Sequence, residues 1–249
     1  MIAYGSTNKG RVRPTNQDHF AVELFEQTET ALLVVCDGMG GANAGNVASR
    51  YAIECFTEEV RNELQPEMDA TYVEDLLRIS AQYANQSVFE LSVKQPEFRG
   101  MGTTLVSALV QGERATIVNV GDSRAYLLRE GKMEQLTEDH SFVQEMVRKG
   151  KLTPEQSRNH PNKNLITRAI GVDAFVDSDL FHCTMQEDDV LLLCSDGLTG
   201  MVEDTEIVRI VGEAPTLSRA ADDLIAAACE GGGADNITVV LFCRGGSAE

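Results

Sequence analysis

Several features that mark other classes of protein are scarce in this sequence. Basic side chains are outnumbered, 21 against 39 acidic ones, which leaves a formal net charge of −18. Nucleic acids and anionic membranes usually bind a basic face, so neither is expected as a partner. No apolar run approaches the ~20 residues that cross a bilayer, and the N-terminal MIAYGSTNKGRVRP lacks the apolar segment of a signal peptide. These absences indicate a soluble protein.

Cysteine and histidine are poorly placed for a zinc site. The six cysteines form no CxxC pair and the four histidines are scattered, whereas zinc needs such ligands at close spacing. Cys36, Cys194 and Cys243 lie inside apolar runs, where a thiol acts as a small buried hydrophobe. We therefore expect reduced, structural cysteines and a cytoplasmic location.

Short runs rich in Val, Ile and Leu predict the strands of the fold. They are Ala31–Cys36, Thr103–Val110, Ala115–Val120, Ala125–Leu128, Val190–Cys194 and Ile237–Cys243. Apolar faces with helical spacing predict long helices at about Gly45–Leu64, Tyr72–Ser92 and Ser218–Glu230. Gln111–Arg114 contains a glycine and is typical of a hairpin. Clustered helices and a hairpin favour an α+β fold with antiparallel sheets over a doubly wound parallel sheet.

The chain shows no internal repeat or Pro-rich linker, so residues 1–249 are expected to form one domain. The polar segment Phe142–Gly171 is different, and we interpret it as a small flap insertion on the main body. Within it, Thr153-Pro154-Glu155-Gln156 predicts a helix start, with Thr as N-cap and Gln closing a capping box. The alternative is a plain surface connection.

Four of the predicted strands have an aspartate at one end. Asp37, Asp122 and Asp196 follow apolar runs, and Asp235 precedes one. A single Asp beside a strand is most often a turn residue, especially in Asp-Gly. Four of them, if their ends face the same way, place carboxylates together and raise one another's pKa. Hard cations such as Mg²⁺ or Mn²⁺ neutralise such a cluster.

Glycine and arginine near these aspartates fit the same interpretation. Asp37-Gly38-Met39-Gly40-Gly41 leads into the first long helix, and glycine lets the backbone approach an ion. The run matches neither GxGxxG nor GxxxxGK[ST], so it does not indicate a nucleotide site. Arg13 lies five residues before Asp18, and arginine binds phosphate with two parallel hydrogen bonds. A lone arginine is otherwise a solvated surface charge.

Taken in order, these segments resemble a known family. The chain contains Arg13 with Asn16-Gln17-Asp18, VVCDGMGG ending at Gly41, Gly102-Thr103-Thr104, VGDSR ending at Arg124, CSDGL ending at Leu198, and ADNIT from Ala234 to Thr238. This ordered set is similar to the metal-dependent protein phosphatases of the PPM, or type 2C, family in its compact bacterial form. The resemblance covers essentially the whole chain.

The resemblance implies two antiparallel sheets packed as a sandwich and flanked by helices, in αββα layers. It implies hydrolysis of phosphoserine and phosphothreonine in proteins by a metal-activated water at a binuclear Mn²⁺/Mg²⁺ centre. The implied site residues are Asp37 bridging two metals, the carbonyl of Gly38, Asp196 and Asp235 as further ligands, Asp18 through water, Asp122 on a weaker third ion, and Arg13 on the phosphate. A monomer that opposes a Ser/Thr kinase is also implied.

Two positions depart from the eukaryotic form of the family. Gln17 stands where those enzymes carry an acidic residue, and Met39 where many carry a histidine proposed as the general acid. His140, His160 or a metal-bound water are the alternatives for the acid. A non-catalytic binding module of the same fold, or an enzyme acting on another phosphoester, are the alternatives for the function. The complete set of aspartates argues against the first, and the charge of −18 against a polyanionic substrate.

The flap yields a prediction about substrate recognition. Since it joins the VGDSR and CSDGL motifs, it reaches the rim of the site. Substitution of His160 or Asn162 should reduce activity on phosphopeptides more than on a small aryl phosphate, because only the peptide lies against the rim. Steady-state kinetics on both substrates measure this. Equal loss on both would instead indicate a catalytic role, and no loss on either would indicate a plain connection.

Overall fold

The strands form two stacked antiparallel sheets. The computed structural model describes residues 1–41, 44–158 and 160–245, so Asn159 of the predicted flap and the last four residues of the predicted single domain lie outside it. The strands are β1 (Ile2–Asn8), β2 (Asp18–Phe25), β3 (Thr30–Met39), β4 (Gly102–Thr103), β5 (Leu105–Gln111), β6 (Arg114–Val120), β7 (Arg124–Arg129), β8 (Lys132–Gln135), β9 (Asp179–Thr184), β10 (Val190–Cys194) and β11 (Ile237–Cys243). One sheet has the order β1-β11-β10-β7-β8, and the other β2-β3-β5-β6-β9, with β4 paired to β3.

Helices cover the outer faces of these sheets, and two further short helices lie in the segment 142–171. They are α1 (Ala44–Glu63), α2 (Ala70–Lys94), α3 (Phe142–Arg148), α4 (Pro154–Arg158), α5 (Asp196–Thr199), α6 (Asp204–Glu213) and α7 (Leu217–Glu230). The three long helices predicted from sequence are confirmed to within two residues at each end. Asp69 caps α2 by accepting a hydrogen bond from the Tyr72 N–H at 2.8 Å. No helix among the described residues is both long and apolar enough to span a membrane.

Successive side chains of the central strands point to opposite faces of the sheet, and this alternation produces the αββα layers. In β3, Leu32, Val34 and Cys36 pack with α1 and α2, while Leu33 and Val35 face the second sheet. Because both faces are buried, the central strands read as continuous apolar runs. The inner layer joins the two sheets through side chains that include Leu191, Leu193, Val240 and Phe242. The α5, α6 and α7 helices cover the outer face of the β10–β11 sheet.

The predicted β3 boundary needs a correction. The strand does not stop at Cys36 but continues through Asp37 to Met39. Its last two residues pair with β4 rather than with β5, because Thr104 interrupts the run predicted as Thr103–Val110. The predicted hairpin at Gln111–Arg114 is confirmed, with these two residues paired across a two-residue turn.

The segment 142–171 joins β8 to β9 and carries α3 and α4. A backbone hydrogen bond from the Phe142 N–H to the Leu165 carbonyl, 2.8 Å long, closes its base. The predicted capping box is present: the Thr153 N–H donates to Gln156 Oε1 at 2.9 Å, and the Gln156 N–H to Thr153 Oγ1 at 3.2 Å.

Candidate functional site

Sheet register brings the first two carboxylates together. Asp18 begins β2 and lies directly opposite Asp37 of β3. Directly opposed residues of neighbouring antiparallel strands project from the same face with Cβ atoms about 5 Å apart. The two side chains are therefore neighbours even though their positions in the sequence differ by 19, and two like charges at this spacing repel.

The remaining aspartates reach the same edge from three other strands. Asp122 follows β6, which runs in the same direction as β3 because both are antiparallel to β5. Asp196 follows β10 and Asp235 precedes β11, and these two ends adjoin because the strands are antiparallel. The charges of Asp18, Asp122, Asp196 and Asp235 all act on the carboxyl of Asp37. We refer to these five residues as the carboxylate cluster.

Burial raises the free energy of the ionised carboxylates in the cluster. It raises the pKa of Asp18 to about 7, that of Asp122 to about 8 and that of Asp196 to about 6, with neighbouring carboxylates adding to each shift. The pKa of Asp37 lies well above its ordinary value, first because of burial and then because of the other carboxylates. The cluster has a strong physical tendency to take up either protons or cations.

Hydroxyl groups hold one oxygen of Asp18. Its Oδ2 accepts hydrogen bonds from Ser195 Oγ at 2.7 Å and from Thr238 Oγ1 at 2.8 Å. Its Oδ1 is buried and has no hydrogen-bond partner, and the same is true of Asp196 Oδ1. Two orphaned carboxylate oxygens in one cluster are an arrangement that a bound cation satisfies.

The backbone of Asp37 is fixed by a second pair of hydroxyls. Thr104 Oγ1 accepts from the Asp37 N–H at 2.9 Å, and Thr103 Oγ1 donates to its carbonyl at 2.9 Å. Thr104 Oγ1 also pairs with Ser123 Oγ at 2.7 Å, which ties the residue after Asp122 to the same point. The hydroxyls of the GTT, VGDSR, CSDGL and ADNIT segments therefore support the carboxylates, a role that the sequence analysis did not assign.

Gly38 lies where no side chain fits. A Cβ atom there would approach the Gly45 carbonyl oxygen to 2.1 Å and the Gln17 carbonyl oxygen to 2.6 Å. Its N–H donates to the Gln17 carbonyl at 3.1 Å. The start of α1 and the N-terminal loop are thus pressed against β3, beside the backbone carbonyl predicted to bind a metal.

The donor set fits Mg²⁺ or Mn²⁺ with water as an additional ligand. Within residues 1–41, 44–158 and 160–245, no three His, Cys, Asp or Glu side chains already surround one point as a metal cage. Mg²⁺ usually keeps several waters and takes only one or two carboxylates directly. Oxygen donors without a nearby Cys–His set also suit these hard cations better than zinc.

Arg13 contacts the cluster directly. Its Nη2 donates to Asp235 Oδ2 at 2.7 Å, while its side chain remains 51 % exposed. The charges of Asp37 and Asp196 also reach it, and together with Asp235 they raise its pKa. Arg13 therefore lies at the mouth of the cluster, where one end of its guanidinium holds a carboxylate and the rest faces solvent.

Arg124 is a second arginine that the sequence analysis quoted only as part of a motif. Its guanidinium forms two parallel bonds to Asp139, of 2.8 and 2.7 Å. It also donates to the Tyr126 hydroxyl at 3.0 Å and to Thr199 Oγ1 at 3.4 Å. This network braces the chain between Asp122 and α5. In the sequence, the signal for a structural role of Arg124 is its position directly after Asp122-Ser123.

The ring of His140 is fully engaged. Nδ1 accepts from the Gly121 N–H at 3.1 Å, which assigns the proton of the neutral ring to Nε2, and Nε2 faces Asp179 Oδ2 at 3.2 Å. Arg168 Nη1 lies 3.2 Å from the same nitrogen and donates to Asp179 at 2.8 Å. Burial lowers the pKa of His140. The side chain joins the Asp122 turn to the end of the flap.

His160 and Asn162 lie in a local turn of the flap. The Asn162 N–H donates to His160 Nδ1 at 3.1 Å, and the ring of His160 lies against Phe142 with centroids 6.0 Å apart. Their neighbours Lys163 and Asn164 line a cavity of about 520 Å³ that also contains Asp122 and Asp196. The flap thus borders the cluster, while the roles of His160 and Asn162 stay a prediction.

Carboxylates gathered at one edge of an αββα sandwich are typical of metal-dependent hydrolases. The protein phosphatase 2C family model matches residues 9–227. The serine/threonine phosphatase stp of Listeria monocytogenes is 43 % identical over 98 % of this chain and 96 % of its own length. The crystal structure of Stp1 from Staphylococcus aureus has a TM-score of 0.90 at 38 % identity, covering 98 % of this chain and 95 % of that one.

A third comparison includes metal. The catalytic domain of the phosphatase PstP, solved in complex with two manganese ions, has a TM-score of 0.82 at 35 % identity, covering 96 % of each chain. The chain belongs to the protein phosphatase 2C, or PPM, family of metal-dependent protein serine/threonine phosphatases. The resemblance, the fold class and the enzyme class predicted from sequence are confirmed.

The raised pKa of Asp18 predicts how stability depends on pH. The carboxyl ionises near its ordinary value of 3.8 when unfolded and near 7 when folded, so the folded state binds more protons in between and loses stability as pH rises. Asp18→Asn keeps an oxygen for both hydroxyls but removes the charge. In EDTA, the variant should gain on the order of 4 kcal/mol over the wild type between pH 4 and 8, measured by urea unfolding.

With Mn²⁺ present, the wild type should become more stable than Asp18→Asn. A cation that binds only the folded state stabilises the protein with the intact cluster more than the variant. The matched control is Asp188→Asn, the same change at an exposed carboxylate, which should track the wild type at every pH. A difference between Asp18→Asn and wild type that does not vary with pH would contradict the assignment.

Proposed function

We propose that this phosphatase hydrolyses phosphoserine and phosphothreonine at a two-metal centre built from the carboxylate cluster. Asp37, Asp196, Asp235 and the Gly38 carbonyl are the proposed ligands, with Asp18 acting through water. The observation that supports this is the convergence of buried carboxylates with raised pKa values, two of which carry orphaned oxygens. Two divalent cations, when bound, supply an activated water near neutral pH and positive charge beside the phosphoryl oxygens.

Neighbouring residues of the protein hold the proposed ligands in position. The Ser195 and Thr238 hydroxyls orient Asp18, and those of Thr103 and Thr104 fix the backbone of Asp37. These groups are already bonded before any ligand arrives, so the cluster needs little rearrangement. We also propose that Asp122 contributes to a weaker third cation site, which its position in the cavity beneath the flap supports.

We assign phosphate binding to Arg13. Its guanidinium holds Asp235, and we propose that it would be free to bind the phosphoryl oxygens if that carboxylate held a cation instead. Half of its side chain is exposed, so its second nitrogen can approach a substrate without displacing any other contact. Bidentate binding of phosphate by a guanidinium is well matched in geometry.

The proton for the leaving alkoxide is proposed to come from water held in the cluster. His140 is a poor donor, because both of its ring nitrogens are engaged and burial lowers its pKa. His160 has its Nδ1 committed to the flap turn. Met39, at the position where many eukaryotic enzymes carry a histidine, has no ionisable group.

The biological setting is proposed on chemical grounds. A phosphorylated serine or threonine must be made by a kinase, so a cognate Ser/Thr kinase is the proposed opposing partner. The charge of −18 supports a protein substrate over nucleic acid or an anionic membrane. We further propose a reducing, cytoplasmic compartment, since the six cysteines are all free. We also propose that the protein is a monomer.

The core ligands are tested by removing one charge at a time. Asp37→Asn, Asp196→Asn and Asp235→Asn should each lower turnover of p-nitrophenyl phosphate by orders of magnitude, because each weakens cation binding. Excess EDTA should abolish wild-type activity, and Mn²⁺ or Mg²⁺ should restore it. Asp188→Asn serves as the control and should retain wild-type turnover. Full activity in EDTA, or normal turnover of Asp37→Asn, would refute the two-metal proposal.

The role of Arg13 is tested by separating phosphate binding from cation binding. Arg13→Ala should lower kcat/KM by the equivalent of about 1.5–3 kcal/mol, the value of one hydrogen bond to a charged group, mainly through KM. Its Mn²⁺ affinity by calorimetry should not fall, since Asp235 is freed. Arg11→Ala removes an exposed arginine two residues away and should leave KM unchanged. An unchanged KM in Arg13→Ala would make Arg13 a surface charge.

A further inference from the structure

A second pocket lies near the carboxylate cluster, and its lining does not include Asp122. It has a volume of about 300 Å³ and lies between the end of β3 and the segment 166–177, which begins within the last residues of the flap. Its lining includes the apolar side chains of Met39, Val172, Phe175 and Val176. None of the roles assigned above to the cluster or the flap uses this pocket.

Strand geometry places the pocket within reach of the reacting phosphate. Asp37 and Met39 are two residues apart in β3, so their side chains project from the same face with Cα atoms about 7 Å apart. The short strand β4 pairs with this end of β3, and Thr103 exchanges two backbone hydrogen bonds with Ile170, of 3.0 and 2.8 Å. One continuous backbone ladder therefore joins the proposed metal ligand Asp37 to the pocket wall.

The pocket displays apolar side chains to solvent on a rigid frame. Phe175 is 72 % exposed and Val172 is 45 % exposed. The loop that carries them is nevertheless anchored to α2: Asn85 donates to the Asp173 carbonyl at 3.0 Å and accepts from the Gly171 N–H at 2.7 Å. Gln82 bonds to the backbone of Ala174 and Val176, each at 3.2 Å. Val172 and Phe175 line the pocket together with Met39 and Val176, and a contiguous exposed apolar patch is typical of a binding surface.

Close packing preserves the floor of the pocket. A Cβ atom on Gly102 would lie 2.7 Å from Met39 Cε and 2.9 Å from Val172 Cγ2. Any side chain at residue 102 would therefore displace both apolar groups. Glycine at this point lets Met39 and Val172 meet over the backbone and form one wall.

Charge on the rim excludes a second anion. Asp173 and Asp177 line the pocket, and the side chain of Asp177 is 71 % exposed. Among the described residues that line the pocket, Arg168 is the one cation, and it already donates to Asp179 at 2.8 Å. A phosphate or carboxylate would be repelled here, whereas an uncharged side chain meets apolar walls.

We propose that this pocket binds an apolar side chain of the phosphoprotein substrate, one or two residues from the phosphorylated serine or threonine. Residues of an extended peptide are spaced 3.3–3.4 Å apart, so two steps span the distance from Asp37 to Met39. The proposal rests on the proposed function of Asp37 at the reacting phosphate. It makes Val172 and Phe175 residues that determine sequence preference without taking part in the chemistry.

The test combines peptide scanning with a surface substitution. The substrates are phosphothreonine peptides with Leu or Ser at each position within three residues of the phosphate, and p-nitrophenyl phosphate. The wild type should prefer Leu over Ser at one of these positions by about 10-fold in kcat/KM, as expected for partial burial of one such side chain. Phe175→Ser should remove that preference by lowering kcat/KM for the Leu peptide alone, with activity on p-nitrophenyl phosphate unchanged.

The control is Val93→Ser, a substitution of an equally exposed apolar residue, 68 % accessible, on α2. It should leave the peptide preference intact. Val172→Thr, which keeps the side-chain shape, provides a second variant and should reduce the preference. The proposal is overturned if the wild type shows no preference at any position, if Phe175→Ser leaves it intact, or if Val93→Ser also removes it. Loss of p-nitrophenyl phosphate activity in the Asp37 variants is scored separately, so failure of the metal proposal is distinguishable.

Discussion

Repulsion among buried carboxylates is the constraint on which this structure is organised. Five aspartates from different strand ends meet where the two sheets adjoin, and burial raises the pKa of four of them. Left alone, such a cluster would force the sheets apart or remain protonated. The fold resists this with large apolar layers on both faces of each sheet, and the remaining repulsion is of the kind that a divalent cation would neutralise.

A layer of uncharged hydrogen-bonding groups allows the cluster to keep its shape. Hydroxyls and the Asn236 amide, which carry no charge, bond to the cluster or to the nearby backbone. The Asn236 side chain bonds to the backbone of Lys9, Thr15 and Gln17. Neutral groups orient a carboxylate without pairing its charge. Among the residues that the structure describes, Arg13 is the one basic side chain that forms an ion pair with a member of the cluster, and it does so from the solvent side.

The sequence predicted the central strands and missed the edges, for a physical reason. All six central strands, β3, β5, β6, β7, β10 and β11, are buried on both faces and therefore appear as apolar runs. The four strands missed, β1, β2, β8 and β9, are the edges of the two sheets, where half-exposed residues weaken that pattern. Missing β2 hid the register that sets Asp18 opposite Asp37.

The candidate site also has a part that the sequence predicts and a part that it does not. The aspartates were predictable, because a charge directly beside an apolar strand is conspicuous. The apolar pocket was not, because Met39, Val172 and Phe175 are ordinary hydrophobic residues until the fold exposes them together. Likewise, the engagement of both ring nitrogens of His140 depends on contacts with Gly121 and Asp179 that no local pattern encodes.

The way the flap is attached has a consequence for how such enzymes diversify. Its base is closed by backbone pairing, at Phe142 with Leu165 and at Ser141 with Ile166. Backbone pairing does not depend on side-chain identity, so the enclosed segment can change in length or composition while its two stems stay joined. The segment between these stems can therefore be exchanged as a unit, and such an exchange leaves the carboxylate cluster unchanged.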